Sequence, residues 1–310
     1  AGIDKQNKEL ELQDYRACPV CRRVVRGPHH SLPPRCPCGG QGPTSRPRPY
    51  VLPPGFITMV DDPVEDAKLH RLKSPPNSEV FLIDGASPEA FRPHTELKGV
   101  EYGYRRDGRL FRANRGRKNL QFRLCLTCGA AVGQKQPHKT PWGTSCQGQP
   151  QRIDLACVFD TDTLQIRFDG VAQPAPPIHD AQFWVSLRSA FLSAAAEVLT
   201  IPVRDLDGTY RSQSELSSRA ELVVYDRVPG GAGYVQQIIQ RLGNILNRAW
   251  ERTAACPNPN CDPSGSCYAC LRTYGNQFQW DLLNRRRIAG WLQQFVPRSG
   301  RSLPGSNQSA

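Results

Sequence analysis

The stretch CPNPNCDPSGSCYAC at residues 256–270 places four cysteines within fifteen residues, separated mainly by proline, asparagine and glycine. A segment of this composition cannot build an apolar core, so something other than packing must hold it. The spacing C-x4-C-x5-C-x2-C is too close for unstrained disulfides, but four thiolates can surround one tetrahedral zinc ion. It predicts a zinc site, with an iron–sulfur cluster as the alternative, at Cys256, Cys261, Cys267 and Cys270.

Two further clusters contain all but one of the other cysteines. CPVC at 18–21 precedes CPC at 36–38, and CLTCG at 125–129 precedes a histidine and a cysteine. The close cysteines lie on one side of a tight turn, and the following loop can close a tetrahedron around a metal. The predicted ligands are Cys18, Cys21, Cys36 and Cys38 in the first cluster, and Cys125, Cys128, His138 and Cys146 in the second.

Some histidines and cysteines near these clusters leave alternatives open. His29 and His30 lie inside the first loop and could compete as ligands, although four thiols already suffice. His138 belongs to the loop QPHKTP, where a solvent-exposed histidine is the alternative. Cys157 lies in the apolar run RIDLACVFD and is expected to be a buried core thiol.

All three clusters are predicted to be structural. A catalytic zinc keeps one position open for water, whereas four protein ligands leave none. The chain carries 26 glycines and 28 prolines, so much of it is loop that a metal can hold together. We therefore expect two to three structural zinc ions.

The beginning of the chain bears on its compartment. AGIDKQNKELELQDY is polar and contains no secretion signal, and no apolar run approaches the length of a membrane span. The first residue is not Met, so we expect a fragment or a processed product. A cytoplasmic location is expected, because clustered cysteines in a reducing compartment bind metal more often than they form disulfides.

The formal net charge of +12 favours an anionic partner, and nucleic acid is the commonest one. Basic residues concentrate between Arg105 and Arg123, and four aromatic residues lie within or just before this stretch: Tyr102, Tyr104, Phe111 and Phe122. Arginines can hold phosphates while aromatic rings stack on bases. The alternative is a solvated hairpin whose aromatic rings lie in the core. The predicted phosphate contacts are Arg105, Arg106, Arg109, Arg112, Arg115, Arg117 and Lys118, with Arg285, Arg286 and Arg287 as a second group.

Apolar periodicity predicts several helices and strands. AQFWVSLRSAFLSAAAEVL is expected to be a helix with Asp180 as its N-cap, and VFLI at 80–83 and ELVVY at 221–225 are expected to be strands. A β-hairpin is predicted around the turn-rich NRGRKN, and two strands joined by DTDT are predicted after it. YVQQIIQRLGNILNRAW and WDLLNRRRIAGWLQQFV are each expected to form one helix.

Composition divides the chain into four parts. A zinc-ribbon-like module with a proline-rich linker is expected at 1–58, and a β-rich basic region with the second zinc knuckle at 59–150. A mixed α/β domain that carries the third cluster follows at 151–296, and a disordered tail at 297–310. The predicted fold class is therefore α+β, that is, mixed α/β, held together by zinc knuckles.

The turn DRVPGGAG and a pair of aspartates are candidates for a binding or catalytic role. A helix start attracts anions, but this turn matches neither GxxxxGK[ST] nor GxGxxG, so a structural loop is the preferred interpretation. Asp160 and Asp162 could bind magnesium in a nuclease, although strand-connecting turns use Asp and Thr equally well. No Walker A motif is present, so no ATP binding is expected of this chain. The loop residues are Asp226, Pro229, Gly230, Gly231 and Gly233.

Several motifs occur together in one order: YDRVPGGAGYV, then the cysteine stretch followed by LRTYGNQ, then LLNRRRIAGWL. In this order they resemble the C-terminal cysteine-cluster domain of MrfA-type superfamily 2 DNA helicases. That domain also occurs in DISARM DrmB and in large anti-phage defence helicases. The resemblance extends upstream through ANRG, FRLCLTCG and FDTDTLQIRF. CPC at 36–38 is tighter than the usual CPxC, which leaves the part played by Cys38 open.

The resemblance implies a zinc-bearing accessory region, or a separate subunit, of an ATP-dependent helicase whose RecA-like motor lies elsewhere. Its work would be to bind DNA and to dock on the motor, in phage defence or DNA repair, without a catalytic residue of its own. A DrmB-like interaction scaffold without DNA binding is the alternative, and a metal-dependent nuclease is less favoured. The expected partners are DNA and the motor, in the same chain or another subunit, and no membrane.

Overall fold

A computed structural model describes residues 2–4, 10–32, 36, 38, 46–57, 78–116, 119–133, 137–214 and 216–296. Within these ranges the chain forms four α-helices and fourteen strands, and no helix is both long and apolar enough to cross a membrane. The helices are α1 (Ala181–Leu199), α2 (Tyr234–Gln240), α3 (Leu242–Ala254) and α4 (Arg285–Leu292). The strands are β1 (Gly2–Asp4), β2 (Gln13–Ala17), β3 (Val24–Pro28), β4 (Arg48–Val51), β5 (Gly55–Ile57), β6 (Ser78–Asp84), β7 (Arg92–Pro93), β8 (Glu101–Asn114), β9 (Phe122–Cys125), β10 (His138–Lys139), β11 (Ser145–Cys146), β12 (Pro150–Arg167), β13 (Leu206–Ser212) and β14 (Ala220–Asp226).

Strand β12 is the centre of a ten-stranded sheet. One edge of β12 pairs with β8 and β9, both antiparallel. The other edge pairs with β14 near one end and with β4, in parallel, near the other. Strands β13 and β2–β3 extend the sheet beyond β14 and β4, and β6 and β7 pair with the outer edge of β8. The mixed α/β class predicted from periodicity is confirmed.

The predicted hairpin around NRGRKN is wrong. Asn114 at the end of β8 pairs with Leu155, and Phe122 at the start of β9 pairs with Ile153, so both strands run in the same direction along β12. After β8 the chain leaves the sheet, and β9 then continues along the same edge of β12 in the same direction. Turn residues indicate that a strand is interrupted, but not whether the chain reverses afterwards.

The two strands expected on either side of DTDT are one strand, β12, which continues through these residues. The pairing register with β8 shifts between Thr161 and Thr163, so a bulge accommodates the polar residues inside the strand. Thr161 and Thr163 are fully buried, and the Thr161 hydroxyl donates to the Asp226 and Val228 carbonyls.

The N-terminal strands join the same sheet. Tyr15 of β2, Tyr50 of β4 and Phe111 of β8 are fully buried and pack edge to face, with ring centroids 5.1–5.7 Å apart. Asp154 of β12 is also buried and accepts hydrogen bonds from Tyr15 Oη and from the Arg48 guanidinium. The division into parts at 58 and 150 stays a prediction, and the tail 297–310 lies outside the described residues.

The helices cover one face of the sheet and form the main core. Helix α1 begins as predicted, because the Asp180 carboxylate accepts a hydrogen bond from the backbone N–H of Phe183 at 3.1 Å. Its alanines allow α3 and α4 to approach closely, and it also packs on β13. Thr200, in the left-handed region at φ 57°, ends it.

Two helices predicted as single elements are divided. YVQQIIQRLGNILNRAW breaks at Arg241, with φ −119°, where the guanidinium donates to the Val198 carbonyl at the end of α1. In the last segment, residues 274–282 form a 3-10 helix, and α4 starts afresh with Asn284 as its N-cap. Both breaks lie at residues that apolar spacing alone does not mark.

Candidate metal centres

The third cluster lies between α3 and α4. Its four cysteines are unpaired thiols, and three sulfur–sulfur distances are 3.5 Å (Cys256–Cys267), 3.8 Å (Cys261–Cys270) and 3.8 Å (Cys267–Cys270). Four thiolates at about 2.3 Å from one tetrahedral zinc ion would lie about 3.8 Å apart, because the tetrahedral angle sets their separation. The donor set and its spacing therefore fit zinc.

Backbone hydrogen bonds hold the cluster in this shape. The Cys267 carbonyl accepts the N–H groups of Cys270, Leu271 and Arg272 at 2.9–3.2 Å, which closes a tight turn. Arg285 of α4 donates to the Cys261 carbonyl at 3.2 Å and to the Thr253 carbonyl at 3.1 Å. Cys261 and Cys270 are buried in the main core. The cluster thus joins the end of α3 to the start of α4.

The protonation of these thiols differs within the cluster. Burial raises the pKa of Cys270 to about 12. Burial also opposes ionisation of Cys267, but hydrogen bonds from Cys256 and from the backbone N–H of Ala269 outweigh it and lower its pKa to about 6. Because metal ligands are thiolates, zinc binding to this cluster releases protons and is therefore favoured by higher pH.

The second cluster brings together the four residues predicted for it. The Cys125 and Cys146 sulfurs are 3.8 Å apart, and the Cys128 sulfur is 3.3 Å from His138 Nε2. All four side chains are buried, so His138 is not the solvent-exposed loop residue of the alternative. Gly129, at φ 79°, makes the turn after Cys128 possible, where its N–H donates to the Cys125 carbonyl at 2.7 Å.

The first cluster also converges. Cys18 is 3.6 Å from Cys38, and Cys21 is 3.6 Å from Cys36, measured between sulfurs. Cys38 therefore belongs to the same four-sulfur group in spite of the tight CPC spacing. His29 and His30 lie instead beside Asp14, whose carboxylate accepts from His29 Nδ1 and from the His30 backbone N–H.

The first cluster is attached to the helical part through β13. The Ser212 N–H donates to the Cys21 carbonyl at 3.0 Å, and the Arg22 guanidinium lies 4.2 Å from the centroid of the Tyr210 ring. Arg23 donates to the Ser212 and Gln213 carbonyls. These contacts link distant parts of the sequence, and no short motif indicates them.

The expectation for Cys157 is wrong, because its side chain is exposed. Side chains alternate along a strand, and on β12 Ala156 points into the core and Cys157 away from it. An apolar run predicts a strand, but the face of each residue follows from the register. Cys157 belongs to none of the clusters.

Most of the arginines predicted to contact phosphate are engaged within the chain. Arg105 pairs with Asp84 at 2.7 Å, Arg109 with Asp160 at 2.8 Å, and Arg115 with Glu79 at 2.7 Å. Arg112 lies 5.1 Å from the Phe159 ring centroid, Arg285 contacts the third cluster, and Arg287 pairs with Asp180. Arg117 and Lys118 lie outside the described residues.

Arg106 and Arg286 are different. Both side chains are exposed, and neither forms an ion pair with another part of the chain that the structure describes. Among the interleaved aromatic residues, Phe111 is fully buried, and the Tyr104 hydroxyl donates to the Asp162 carboxylate at 3.2 Å. For Phe111 the core alternative is therefore the correct one.

Asp160 and Asp162 do not form a joint site. The Asp160 side chain is 44% exposed, and its hydrogen bond with Arg109 lowers its pKa, whereas Asp162 is buried beneath the PGGAG loop. Within the described ranges, neither aspartate belongs to a group of three or more potential metal ligands. In a regular strand the side chains of Asp160 and Asp162 would face the same side. The bulge in β12 places them in different environments.

The PGGAG loop is held by one carboxylate. Asp226 is fully buried and accepts the N–H groups of Ala232 (2.7 Å), Tyr234 (3.1 Å) and Val235 (3.2 Å). The Asp226 carboxylate therefore accepts the first free N–H groups of α2, a role that the side chain of the N-cap residue usually has. Here the N-cap residue is Gly233, which has no side chain. Burial raises the pKa of Asp226 in spite of these three bonds. The geometry agrees with the structural interpretation of this loop.

Fold and clusters together define a zinc-binding α/β domain. Residues 187–271 match the family model described as the MrfA Zn-binding domain. This range begins in α1, includes β13, β14 and the PGGAG loop, and contains all four cysteines of the third cluster. Residues 187–271 are thus an MrfA-type zinc-binding domain, as the motifs had indicated.

A curated relative is the Druantia protein DruE of Escherichia coli (strain UMEA 4076-1), which is 26% identical over 247 residues. The match covers 68% of this chain and 13% of that protein. Among solved structures, the DUF1998 helicase MrfA bound to DNA aligns at 12% identity with a TM-score of 0.42, covering 72% of this chain and 25% of the helicase chain. A second MrfA crystal structure gives a TM-score of 0.38, with 70% and 24% covered.

Proposed function

We propose that this chain is a zinc-bearing accessory region of an ATP-dependent superfamily 2 DNA helicase, which binds DNA and docks on the motor. The observation that carries this proposal is the match of residues 187–271 to the MrfA Zn-binding domain, with four sulfurs at the separations of one zinc site. The relatives extend far beyond this chain, and the motor is proposed to lie in such additional sequence or in a partner subunit.

Each of the three clusters is proposed to hold one structural zinc ion. Bound zinc would supply a cross-link between loop segments, and four protein ligands leave no position for substrate. The proposed location is the cytoplasm, where such thiols stay reduced. Phage defence is one candidate pathway, since DruE is a Druantia protein, and DNA repair is the other.

For DNA binding, the proposal rests on charge rather than on a defined groove along β8. The chain has 40 basic and 28 acidic residues, and Arg106 and Arg286 are exposed without an ion-pair partner in the described part. Surface ion pairs such as Arg109–Asp160 are worth little, so phosphates could replace the carboxylates at small cost.

The first test is metal content and DNA affinity of the full chain, purified without chelators. We expect three zinc ions per chain by inductively coupled plasma mass spectrometry, and DNA affinity that falls steeply with salt because phosphate contacts release counterions. Zinc near zero would overturn the metal assignment. If the chain binds no DNA even at low salt, the DNA-binding part of the proposal is wrong.

A second candidate function is a protein-interaction scaffold without DNA binding of its own. The pairing of Arg105, Arg109 and Arg115 with carboxylates of the same chain favours it, because fewer free cations remain for phosphate. The scaffold predicts that the immobilised chain captures a helicase motor tightly and binds no DNA by itself. The same capture with no measurable DNA binding at any salt concentration would select the scaffold.

A further inference from the structure

A groove of about 790 Å³ lies beside the third cluster. The end of α1 and the residues after it form one wall, with Glu197 and Val203. Arg248 and Arg252 of α3 line the groove as well, and the loop of the third cluster contributes Tyr268 and Arg272. None of these side chains belongs to the predicted phosphate contacts.

Tyr268 is an exposed aromatic residue in a rigid position. It lies between Cys267 and Cys270, and the hydrogen bonds accepted by the Cys267 carbonyl fix the backbone on either side of it. Its side chain is 63% exposed, while its ring contacts Trp280 edge to face at 5.3 Å between centroids. A rigid ring that solvent can reach is a surface on which a flat aromatic ligand can stack at low entropic cost.

The cations around Tyr268 match an anionic ligand. Arg272 lies 4.8 Å from the Trp280 ring centroid, and its Nε donates to Ser266 Oγ at 3.0 Å, which leaves the terminal nitrogens of the guanidinium. Arg248 and Arg252 both pair with Glu197, and Arg248 also pairs with Glu251 of the same helix at 2.9 Å. Around the groove this gives three arginines against two glutamates, with Glu197 in the lining and Glu251 beside Arg248.

The ion pairs within the groove can be exchanged. The Arg248, Glu197 and Glu251 side chains are 46%, 37% and 43% exposed, so both ion pairs of Arg248 are surface pairs, which contribute little to stability. A phosphate could therefore take over Arg248 without a large loss of stability. Arg252 is more buried, and its Nε has no hydrogen-bond partner in the described part of the chain.

We propose that this groove binds an unpaired strand of DNA, with a base stacked on Tyr268 and the adjoining phosphate held by Arg248 and Arg272. This proposal rests on the proposed DNA-binding function and gives it a surface separate from β8. Aromatic rings combined with arginines are the usual means of holding single strands, because every base has a face that can stack. In a duplex that face is occupied by the neighbouring base pair, so the groove selects single strands.

The test measures fluorescence anisotropy of labelled oligodeoxythymidine with the full, zinc-loaded chain. Tyr268→Ala should weaken binding about 5- to 150-fold, since stacking contributes about 1–3 kcal/mol per base. Tyr268→Phe should retain the affinity, because the ring is kept. Leu216→Ala is the matched control, since Leu216 is 84% exposed and lies outside the groove, and it should bind as the wild type does.

Further arms separate this groove from the proposed function itself. Arg248→Gln combined with Arg272→Gln should reduce the salt dependence of the affinity for single-stranded DNA. Tyr268→Ala should change the affinity for duplex DNA little. Unchanged affinity of Tyr268→Ala, with weaker binding by Arg106→Gln, would overturn the groove and leave DNA binding intact. Wild-type protein that binds no DNA would overturn both proposals. Zinc content and melting temperature of each variant show that the fold is retained.

Discussion

Cys267 and Cys157 occupy opposite situations in one chain. Cys267 lies in the third cluster, where hydrogen bonds lower its pKa to about 6 and two other sulfurs lie within 3.8 Å. Cys157 is exposed on β12 and far from any cluster. The two cysteines therefore provide a comparison in which the same substitution should have very different effects.

Cys267→Ser should remove zinc from the third cluster and destabilise the chain by more than about 4 kcal/mol, because loss of a structural metal belongs to the most damaging changes. One zinc ion fewer by mass spectrometry and a lower melting temperature are the expected results. Cys157→Ser should change neither quantity. A full zinc content in Cys267→Ser would show that this residue is not a ligand.

At the residue scale, the grouping of the cysteines was largely predictable because close cysteine spacing is a local signal. His138 was predicted, and its burial beside Cys128 supports that choice over an exposed loop histidine. Cys157 was placed wrongly, because its face depends on the pairing of β12 with β8, which no neighbouring residue reveals. The ion pairs of Arg105 and Arg115 were not predicted for the same reason, since their carboxylate partners lie on another strand, β6.

At the element scale, the PGGAG loop shows a turn that only glycine permits. Gly231 has φ +83°, and a Cβ added there would lie 2.6 Å from the carboxyl carbon of Asp162. The Gly230 N–H donates to the Asp160 carbonyl, so the loop is tied to β12 as well as to Asp226. The close approach of loop and strand explains why a small residue is needed at 231.

Gly231→Ala should destabilise the chain by about 2 kcal/mol or more, because the left-handed backbone is strained for alanine and the Asp162 carboxylate must move. Chemical denaturation measures the change in the free energy of unfolding. Gly290→Ala, in α4 with open space around it, should instead stabilise by about 0.5–1 kcal/mol. If Gly231→Ala proved neutral, the loop would not be held against Asp162.

Elements with a strong local signal were predicted well, and those whose limits depend on tertiary contacts were not. Helix α1 follows its apolar spacing and its Asp180 cap, and β14 follows ELVVY. The helix breaks at Arg241, where the side chain contacts the end of α1. Strand β12 continues through DTDT because a bulge opposite β8 accommodates these residues. Such contacts join residues far apart in sequence, so a short window cannot contain them.

At the scale of the whole molecule, β12 carries the connection between the parts. It pairs with β4 and β9 near its start and with β8 and β14 along the remainder. The boundary predicted at 150 lies between the first two residues of this strand. A fragment that begins at 151 would keep the helices and the third cluster but would leave the edge that β8 covers unpaired.

The fragment 151–296 should therefore aggregate, because a long unpaired strand edge is a template for association. Size-exclusion chromatography should show large species for the fragment, whereas a fragment that begins with β6, at residue 78, should elute as a discrete, smaller species. A soluble, monomeric 151–296 fragment that binds zinc would show that β8 is dispensable and that the predicted boundary separates independent domains.

The parallel pairing of β4 with β12 also has a consequence for synthesis on the ribosome. Tyr50 pairs with Asp154, so every strand from β2 to β9 is translated before the strand that unites them. At about 5–20 residues per second, these segments wait several seconds without their central partner. During that interval the four cysteines of the first cluster are already translated, and early metal capture by them would organise the N-terminal part of the nascent chain before the sheet can form.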